Sequence, residues 1–400
     1  MSLSECESIQ VSIVIPCLNE VITLGACIEK AKEALAKLSL PGEIIISDNG
    51  STDGSQALAE SLGARVIYAP IRGYGAALIW GIRAARGEYI VIGDGDDSYD
   101  FREAVAMVEK LILGYDLVIG TRLRGKIMSG AMPWKNRYIG TPVLTALVNL
   151  LYQSSFSDVN CGMRAFSKQA FLEMHLESYG MEFASEMLVK AAVLGLKTTE
   201  IPITLYRDGR ARPPHLKPWL DGWRHLKYIL LFAPKFIYWF PGCLFFTLGT
   251  VLLTVLNLTP SGSLIYLGKL RFGDHWIVVG ALLCLLGYEL LVMGFLAYIY
   301  TLTHRLRRRS RHLDKFVKMI NIERIILFAL ITFIAGISLE ISVLNAWIEG
   351  DFGPLNAFRP AVTGMALILI STQTLFSGFF YTILSERYQY KFSSQFSEEN

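Results

Sequence analysis

The sequence predicts a chain of two parts. An α/β domain with a mostly parallel sheet comes first, and an interfacial helix and an α-helical membrane domain of four spans follow. Short β-branched runs alternate with helical stretches between residues 11 and 202. Four later stretches reach the roughly 20 apolar residues that cross about 30 Å of hydrocarbon. Of the 400 residues, 52% are hydrophobic and only 18% are charged, which is unlike an ordinary soluble protein.

The first part reads as strand, loop and helix, repeated. Strands are predicted at residues 11–16, 43–47, 65–68, 89–93 and 116–120, and helices at 22–38, 55–62, 76–85 and 102–113. Near-continuously apolar strands that alternate with helices imply a sheet covered on both faces. Ligands of such sheets collect at the carboxyl ends of the strands.

Polar residues follow three of these strands. Glu20 comes after the first strand, Asp48 after the second, and Asp94 and Asp96 after the fourth. Neither a GxGxxG after the first strand nor a GxxxxGK[ST] is present, which disfavours dinucleotide and P-loop sites. An Asp-x-Asp alone is common in turns. At a strand end beside further acidic loops, however, Asp94 and Asp96 predict a site for Mg²⁺ or Mn²⁺.

The second part, residues 236–400, is predicted to cross a membrane at about 236–258, 276–303, 325–348 and 361–385. Five arginines lie in the link at 304–315, so the positive-inside rule predicts a cytosolic loop there. Residues 1–10 are polar and unlike a signal peptide. Together these features predict an integral, multi-pass protein of the plasma or inner membrane with residues 1–214 in the cytoplasm.

Three further features concern the membrane. Residues 215–235 contain Trp219 and Trp223 at helical spacing among cations, which predicts an interfacial amphipathic helix. Glu289 and Glu340 lie inside spans, where an ionised carboxylate costs about 2.5–3.5 kcal/mol. We expect them to face other helices or to be protonated, and either a lipid or ion pathway or simple packing would account for them.

Composition excludes several classes of protein. A net charge of +3 is too small to indicate nucleic-acid binding. The six cysteines form no CxxC pair and no Cys/His spacing suited to zinc, so neither a disulfide scaffold nor a zinc site is expected.

A series of motifs resembles a known family. In order they read SIVIPCLNE, ISDNGSTDGS, RGYGAALIWGIRAARGEYIVIGDGDD, IGTR and DVNCGMRAF. This series resembles the inverting family 2 glycosyltransferases, and among them the dolichol- or polyprenyl-phosphate mannosyl- and glucosyltransferases. The resemblance covers about residues 10–235 and implies a GT-A nucleotide-sugar domain.

The resemblance implies roles for individual residues. Asp94 and Asp96 match the family's metal and diphosphate motif, with Asp96 the more direct ligand, and Arg122 and Arg164 would face the diphosphate or the acceptor phosphate. Leu18 stands where the family often has tyrosine, and Ser98 where some members have a glutamine ligand, which leaves Asp97 as a candidate third contact. The residues implied to bind the nucleotide sugar are Pro16, Leu18, Glu20, Asp48, Gly73, Asp94 and Gly95.

The resemblance is less specific about the residues that bind the acceptor. Glu186 matches a family position near the acceptor, although an i, i+4 salt bridge with Lys190 would also explain it. Arg207, Arg210 and Arg212 occupy a loop that in the family closes over the diphosphate, and Arg210 is favoured. We therefore expect Asp96, Arg122 and Arg210 to carry catalysis, and Arg122, Arg164, Glu186, Arg207 and Arg210 to bind phosphate or acceptor.

The implied activity is transfer of one hexose, glucose or mannose, from a UDP- or GDP-sugar to polyprenyl phosphate on the cytosolic leaflet. The implied partners are the nucleotide sugar, the lipid, the membrane and no nucleic acid, and a homo-oligomer stays open. One alternative is a transferase that acts directly on a glycolipid or polysaccharide, although the QxxRW typical of processive synthases is missing. Another is a non-catalytic lipid-linked sugar transporter or scaffold.

Overall fold

A computed structural model describes residues 9–210, 218–231, 233–303, 320–353 and 357–396. The chain divides into two compact units, residues 1–232 and 233–400. The first unit contains a seven-stranded sheet, and the second contains long apolar helices.

The elements of the first unit alternate as predicted. Its strands are β1 (Val11–Cys17), β2 (Gly42–Asp48), β3 (Arg65–Tyr68), β4 (Tyr89–Ile92), β5 (Leu117–Ile127), β6 (Arg164–Ser167) and β7 (Thr198–Leu205). Its α-helices are α1 (Val21–Leu38), α2 (Ser55–Ser61), α3 (Tyr74–Ala84), α4 (Ala104–Ile112), α5 (Thr141–Tyr152), α6 (Lys168–Met174), α7 (Phe183–Leu194) and α8 (Pro218–Leu231). A 3₁₀ turn (Phe101–Glu103) precedes α4, and a π-helical turn (Asn136–Gly140) precedes α5.

The sheet has the strand order β3-β2-β1-β4-β6-β5-β7. All neighbours are parallel except β6, which runs antiparallel to β4 and β5. Consecutive residues Ile13, Val14 and Ile15 of β1 are all fully buried. Since successive side chains of a strand point to opposite faces, both faces of the sheet are covered. The prediction of a mostly parallel α/β sheet is confirmed.

Two strands, β6 and β7, were not predicted. β6 is only four residues long and begins with a charged residue, Arg164. β7 includes Glu200 and Pro202, and it lies at the edge of the sheet, the position where a sheet tolerates proline. Neither strand has the continuous β-branched run by which the others are recognised.

The second unit contains the four predicted membrane helices. A π-helical turn (Lys235–Trp239) leads into α9 (Phe240–Leu258), and a small hairpin of β8 (Ile265–Leu267) and β9 (Leu270–Phe272) precedes α10 (Trp276–Thr303). The last two helices are α11 (Ile322–Glu349) and α12 (Phe358–Phe396). All four are long and apolar enough to cross a membrane, so the predicted number of spans is confirmed. The arginine cluster at 304–315 lies outside the described residues, and the orientation that it predicts stays a prediction.

Glycines allow the membrane helices to pack closely. A Cβ on Gly287 of α10 would lie 2.2 Å from the backbone nitrogen of Phe246, and one on Gly249 of α9 would lie 2.3 Å from that of Cys284. Such contacts are the usual source of helix association in membranes, where small residues let backbones approach. Of the two intramembrane glutamates, Glu289 lies on the exposed surface of this unit and Glu340 is half-buried against α12.

We predict that Gly287→Val destabilises the helix pair α9–α10. The added side chain has to push apart two backbones, which typically costs about 1–3 kcal/mol. A lower melting temperature of the full-length protein in detergent would show this. Leu286→Val, on the exposed side of the same helix, is the control and should change little. Equal melting temperatures for the two variants would contradict the prediction.

Candidate active site

The loops after β1 and β2 are joined by hydrogen bonds. The backbone nitrogen of Asn19 donates to Ser51 Oγ (2.9 Å), and that of Thr52 donates to Asn19 Oδ1 (2.7 Å). Asp53 of the second loop accepts from the backbone nitrogen of Val21, at the start of α1 (3.0 Å). The two acidic loops therefore form one rigid edge, as expected for the carboxyl ends of adjacent parallel strands.

Asp48 organises its own turn. Its carboxylate accepts from the backbone nitrogens of Gly50 and Ser51 and from Gln56 Nε2 (2.6 Å), and the residue is fully buried. Three protein groups donate to the carboxylate, mostly to Oδ2, and the implied contact of Asp48 with a base or ribose stays a prediction.

The turn after β4 lies against the same edge. A Cβ on Gly95 would lie 3.1 Å from the carbonyl oxygen of Pro16, and Thr23 Oγ1 donates to the carbonyl of Gly95 (2.7 Å). The structure thus brings Pro16, Gly95 and the two carboxylates that flank Gly95 together. Leu18 is half-buried on the adjoining loop.

Asp94 and Asp96 are held by different donors. Tyr74 donates its hydroxyl to Asp94 Oδ1 (2.9 Å), while Asp96 Oδ1 accepts from both the backbone nitrogen and the hydroxyl of Ser98 (3.1 and 2.6 Å). Burial and, after it, the neighbouring charge of Asp96 raise the pKa of Asp94 to about 6.

Asp97 and Ser98, the next two residues of this turn, already have partners. Ser98 donates a hydrogen bond to Asp96, and Asp97, which has a left-handed backbone (φ 61°), forms an ion pair with Lys30 at 2.6 Å. No group of three or more His, Cys, Asp or Glu residues suited to a metal ion occurs in the described parts of the chain. A cation here would have to complete its coordination with non-protein oxygens.

Arg210 contacts two of the acidic residues, Glu20 and Asp96. Its Nε donates to Glu20 Oε1 (2.9 Å), and its Nη1 lies 3.1 Å from Asp96 Oδ2. The backbone nitrogen of Gly209 donates to the carbonyl of Asp96 (3.0 Å), which fixes the loop in place. Of the loop's other arginines, Arg207 is exposed, and Arg212 lies outside the described residues.

A second arginine, Arg122, lies near enough to interact electrostatically with Asp94. It pairs with fully buried Asp158 through Nε (2.7 Å) and Nη2 (2.8 Å). The charges of Arg210 and Arg122 both lower the pKa of Asp94 against the larger effect of burial. Asp158 thus orients Arg122.

Arg164 and Glu186 do not join this group. The guanidinium of Arg164 donates to the carbonyls of Cys161, Val159 and Ala184, so it is a buried support for backbone. Glu186 is also buried; it accepts from the backbone nitrogen of Ser178 (2.7 Å) and pairs with Lys190 (2.7 Å). Their implied contacts with phosphate or acceptor would require these interactions to be broken.

Gly73 sits at the start of α3 with φ 147°, where a Cβ would lie 2.1 Å from the carbonyl oxygen of Tyr179. Its backbone nitrogen donates to Asn49 Oδ1 (2.8 Å). Close backbone packing thus accounts for the glycine. Sequence reasoning missed Tyr74 and the role of Asp158, since a lone tyrosine or aspartate has no local signature of its distant partner.

The comparisons with known proteins agree with this architecture. Residues 12–174 match the glycosyl transferase family 2 domain, and residues 295–385 match the glycosyltransferase family 2 C-terminal transmembrane region. The low-salt glycan biosynthesis hexosyltransferase Agl6 of Haloferax volcanii is 33% identical over 378 residues, which span 94% of this chain and 89% of the relative. A dolichyl-phosphate hexose transferase of the same organism is 31% identical over 181 residues, covering 44% of this chain and 75% of the relative.

Among solved structures, glucosyl-3-phosphoglycerate synthase from Mycobacterium tuberculosis, in complex with Mn²⁺, UDP-glucose and phosphoglyceric acid, aligns with a TM-score of 0.46. It has 23% sequence identity and covers 56% of this chain and 79% of the other. The sheet with its acidic edge, the four membrane helices and the full-length relative define a membrane-bound glycosyltransferase. The chain belongs to glycosyltransferase family 2.

We predict that Asp158→Asn destabilises the first unit, residues 1–232. Arg122 would keep its buried charge without an anionic partner, a change that typically costs about 3–5 kcal/mol. Thermal unfolding of the full-length protein in detergent measures this. Asp97→Asn is the matched control, because its pair with Lys30 is more exposed and should contribute only about 0–1 kcal/mol. A loss no greater than that of the control would argue against the prediction.

Proposed function

We propose that the enzyme moves one hexose, glucose or mannose, from a UDP- or GDP-sugar to polyprenyl phosphate on the cytosolic leaflet, with inversion. One observation carries the proposal: two carboxylates, Asp94 and Asp96, share one strand-end corner with two guanidinium groups, Arg122 and Arg210. This arrangement suits a reaction between two phosphate-bearing molecules, because one side can hold a cation and the other an anion.

Asp94 and Asp96 would hold a Mg²⁺ or Mn²⁺ ion. The donor set fits, since carboxylate oxygens are the ligands these ions prefer, and Mg²⁺ usually takes one or two carboxylates and completes its shell with phosphate and water. Burial, and after it the charge of Asp96, oppose the ionised form of Asp94, and a bound cation would favour that form. When bound, the ion would neutralise the diphosphate as it leaves.

The protein's own residues would position the two anions. Arg210, on its loop beside Asp96, would exchange its ion pair with Glu20 for one with the diphosphate. The ion pair with Asp158 orients Arg122 for the second anion. A phosphate monoester has a second pKa near 6 and is mostly dianionic at pH 7. The acceptor oxygen is therefore nucleophilic already, so positioning and charge neutralisation would suffice without a strong general base.

Helix α8 supports a lipid acceptor because it exposes apolar and basic side chains and buries two polar ones. Asp221, His225 and Ile229 are buried at i, i+4, i+8, and His225 Nδ1 lies 2.7 Å from Ser185 Oγ of α7. The opposite face is exposed, with apolar and basic side chains together: Leu220, Trp223, Arg224, Lys227 and Leu231. A face of this kind suits the headgroup layer of a membrane.

A second exposed apolar surface lies on α5 and the turn before it. It consists of Trp134, Tyr138, Ile139, Val143 and Leu150, with Lys135 and Arg137 among them. Two such surfaces on one catalytic unit are more than a soluble acceptor requires. The name of the dolichyl-phosphate hexose transferase gives further support. The name of Agl6, which mentions a glycan but no lipid phosphate, keeps direct transfer to a glycan or glycolipid as the second candidate.

We predict that the purified full-length protein transfers label from a UDP- or GDP-hexose to polyprenyl phosphate. The expected product, on extraction and chromatography, is a monoglycosyl phospholipid. Asp96→Ala should lower turnover by about a hundredfold or more, since charge stabilisation at the diphosphate is lost. Glu109→Ala, which removes an exposed carboxylate on α4, is the control. Label in a polymer or in an added glycolipid, or undiminished turnover of Asp96→Ala, would refute the proposal.

We further predict that Arg210→Gln tightens Mn²⁺ binding in the absence of nucleotide sugar. In the wild type a cation must displace Arg210 from Asp96 Oδ2, whereas in the variant that oxygen is free. Electron paramagnetic resonance of free Mn²⁺ at pH 8 measures the affinity, and we expect a gain of several-fold together with lower transferase turnover. The control is Arg207→Gln, which removes an exposed charge of the same loop. Equal or weaker Mn²⁺ binding by Arg210→Gln would contradict the competition.

A further inference from the structure

A carboxyl group lies on the surface of the second unit at the middle of a membrane helix. Glu289 is 13 residues after Trp276 and 14 before Thr303, the two ends of α10. At 1.5 Å per residue, each end of the helix is about 20 Å away. The hydrocarbon layer is about 30 Å thick, so Glu289 lies near its centre, too deep for its side chain to reach the headgroups.

The chain itself leaves this carboxyl group uncovered. Helix α10 packs against α9 and α12, and Glu289 is exposed on the remaining side of the helix. Ionisable residues at this depth are costly and almost always face other protein or a water-filled cavity. Lipid tails offer no hydrogen-bond partner. A protein surface that the single chain does not contain should therefore cover Glu289.

The surroundings of Glu289 indicate what kind of surface this is. Glu289 belongs to an exposed stripe of α10 whose other members are all apolar: Val279, Leu282, Leu286 and Met293. The spacing along the stripe alternates between three and four residues. This is the pattern by which two parallel helices pack side by side with a left-handed crossing. One polar residue within such a seam fixes the register and the number of helices that associate.

We propose that α10 pairs along this stripe with α10 of a second copy of the chain, and that the two Glu289 side chains hydrogen-bond to each other. A neutral carboxyl group has one donor and one free acceptor, so it is complementary to itself. Two copies have the same orientation in the membrane, and a twofold axis along the membrane normal places both Glu289 residues at the same depth. The pairing does not depend on the identity of the sugar acceptor.

Association of the full-length protein in lipid vesicles tests the proposal. One half of the sample carries a donor fluorophore and the other an acceptor, and energy transfer is followed as the protein-to-lipid ratio rises. We expect the wild type to form saturable dimers. Glu289→Leu is compatible with lipid but cannot hydrogen-bond, so it should lower the association constant by about tenfold or more.

Two variants make this result specific. Glu289→Gln should retain most of the association, because a carboxamide also both donates and accepts. Glu349→Leu makes the same replacement at an exposed glutamate at the end of α11 and should associate like the wild type. Energy transfer in the wild type no greater than that of randomly placed molecules would overturn the proposal, and so would undiminished association of Glu289→Leu.

Cysteine cross-linking tests which face is in contact. Cys243, which is exposed, and Cys6, which lies outside the described residues, are first replaced by serine. Under mild oxidation in vesicles, Met293→Cys, one turn beyond Glu289, should then form a disulfide-linked dimer. Leu330→Cys, which is exposed on α11, is the control and should stay monomeric. A cross-link through Leu330→Cys without one through Met293→Cys would contradict a seam along α10.

Discussion

The balance of charge at the turn after β4 is the constraint on which the site depends. Asp94 and Asp96 flank one glycine, and burial together with the charge of Asp96 opposes the ionised form of Asp94. The chain limits this cost with hydrogen bonds from Tyr74 and Ser98 and with the guanidinium of Arg210. Arg210 thus has two uses in the proposed reaction, as a counter-ion before the donor arrives and as a phosphate ligand afterwards.

The second constraint is that different parts of the chain have to be stable in water and in the interior of a membrane. The first unit buries Asp221 and His225 of α8 and exposes Leu220, Trp223 and Leu231, which is unusual for a surface helix of a soluble protein. The second unit packs α9 on α10 through glycine backbones and leaves most of the other side chains of its long helices exposed or half-buried. Against this apolar surface, a half-buried carboxylate such as Glu340 is conspicuous, because the bilayer offers it neither water nor a counter-ion.

Local pattern predicted most of the fold, while the roles of the site residues stay predictions. Five strands and the four membrane helices were predicted from β-branched runs and long apolar stretches. β6 was missed because its four residues begin with Arg164. The guanidinium of that arginine donates to three backbone carbonyls, a contact that no local pattern indicates. A motif shows that a charge is needed at a position. It does not show whether the charge faces a ligand or supports the backbone, since both demands favour the same residue.

The sequence alone determined the class of sheet, the number of spans and the acidic residues at the strand ends, because each depends on short-range periodicity or on a contiguous run. The tertiary structure decided which arginine reaches which carboxylate. Arg210 is 190 residues from Glu20, and Arg122 is 36 from Asp158. It also decided that Asp48 and Glu186 are occupied by backbone donors. Such pairings are set by the crossing of distant loops, and no local spacing encodes them.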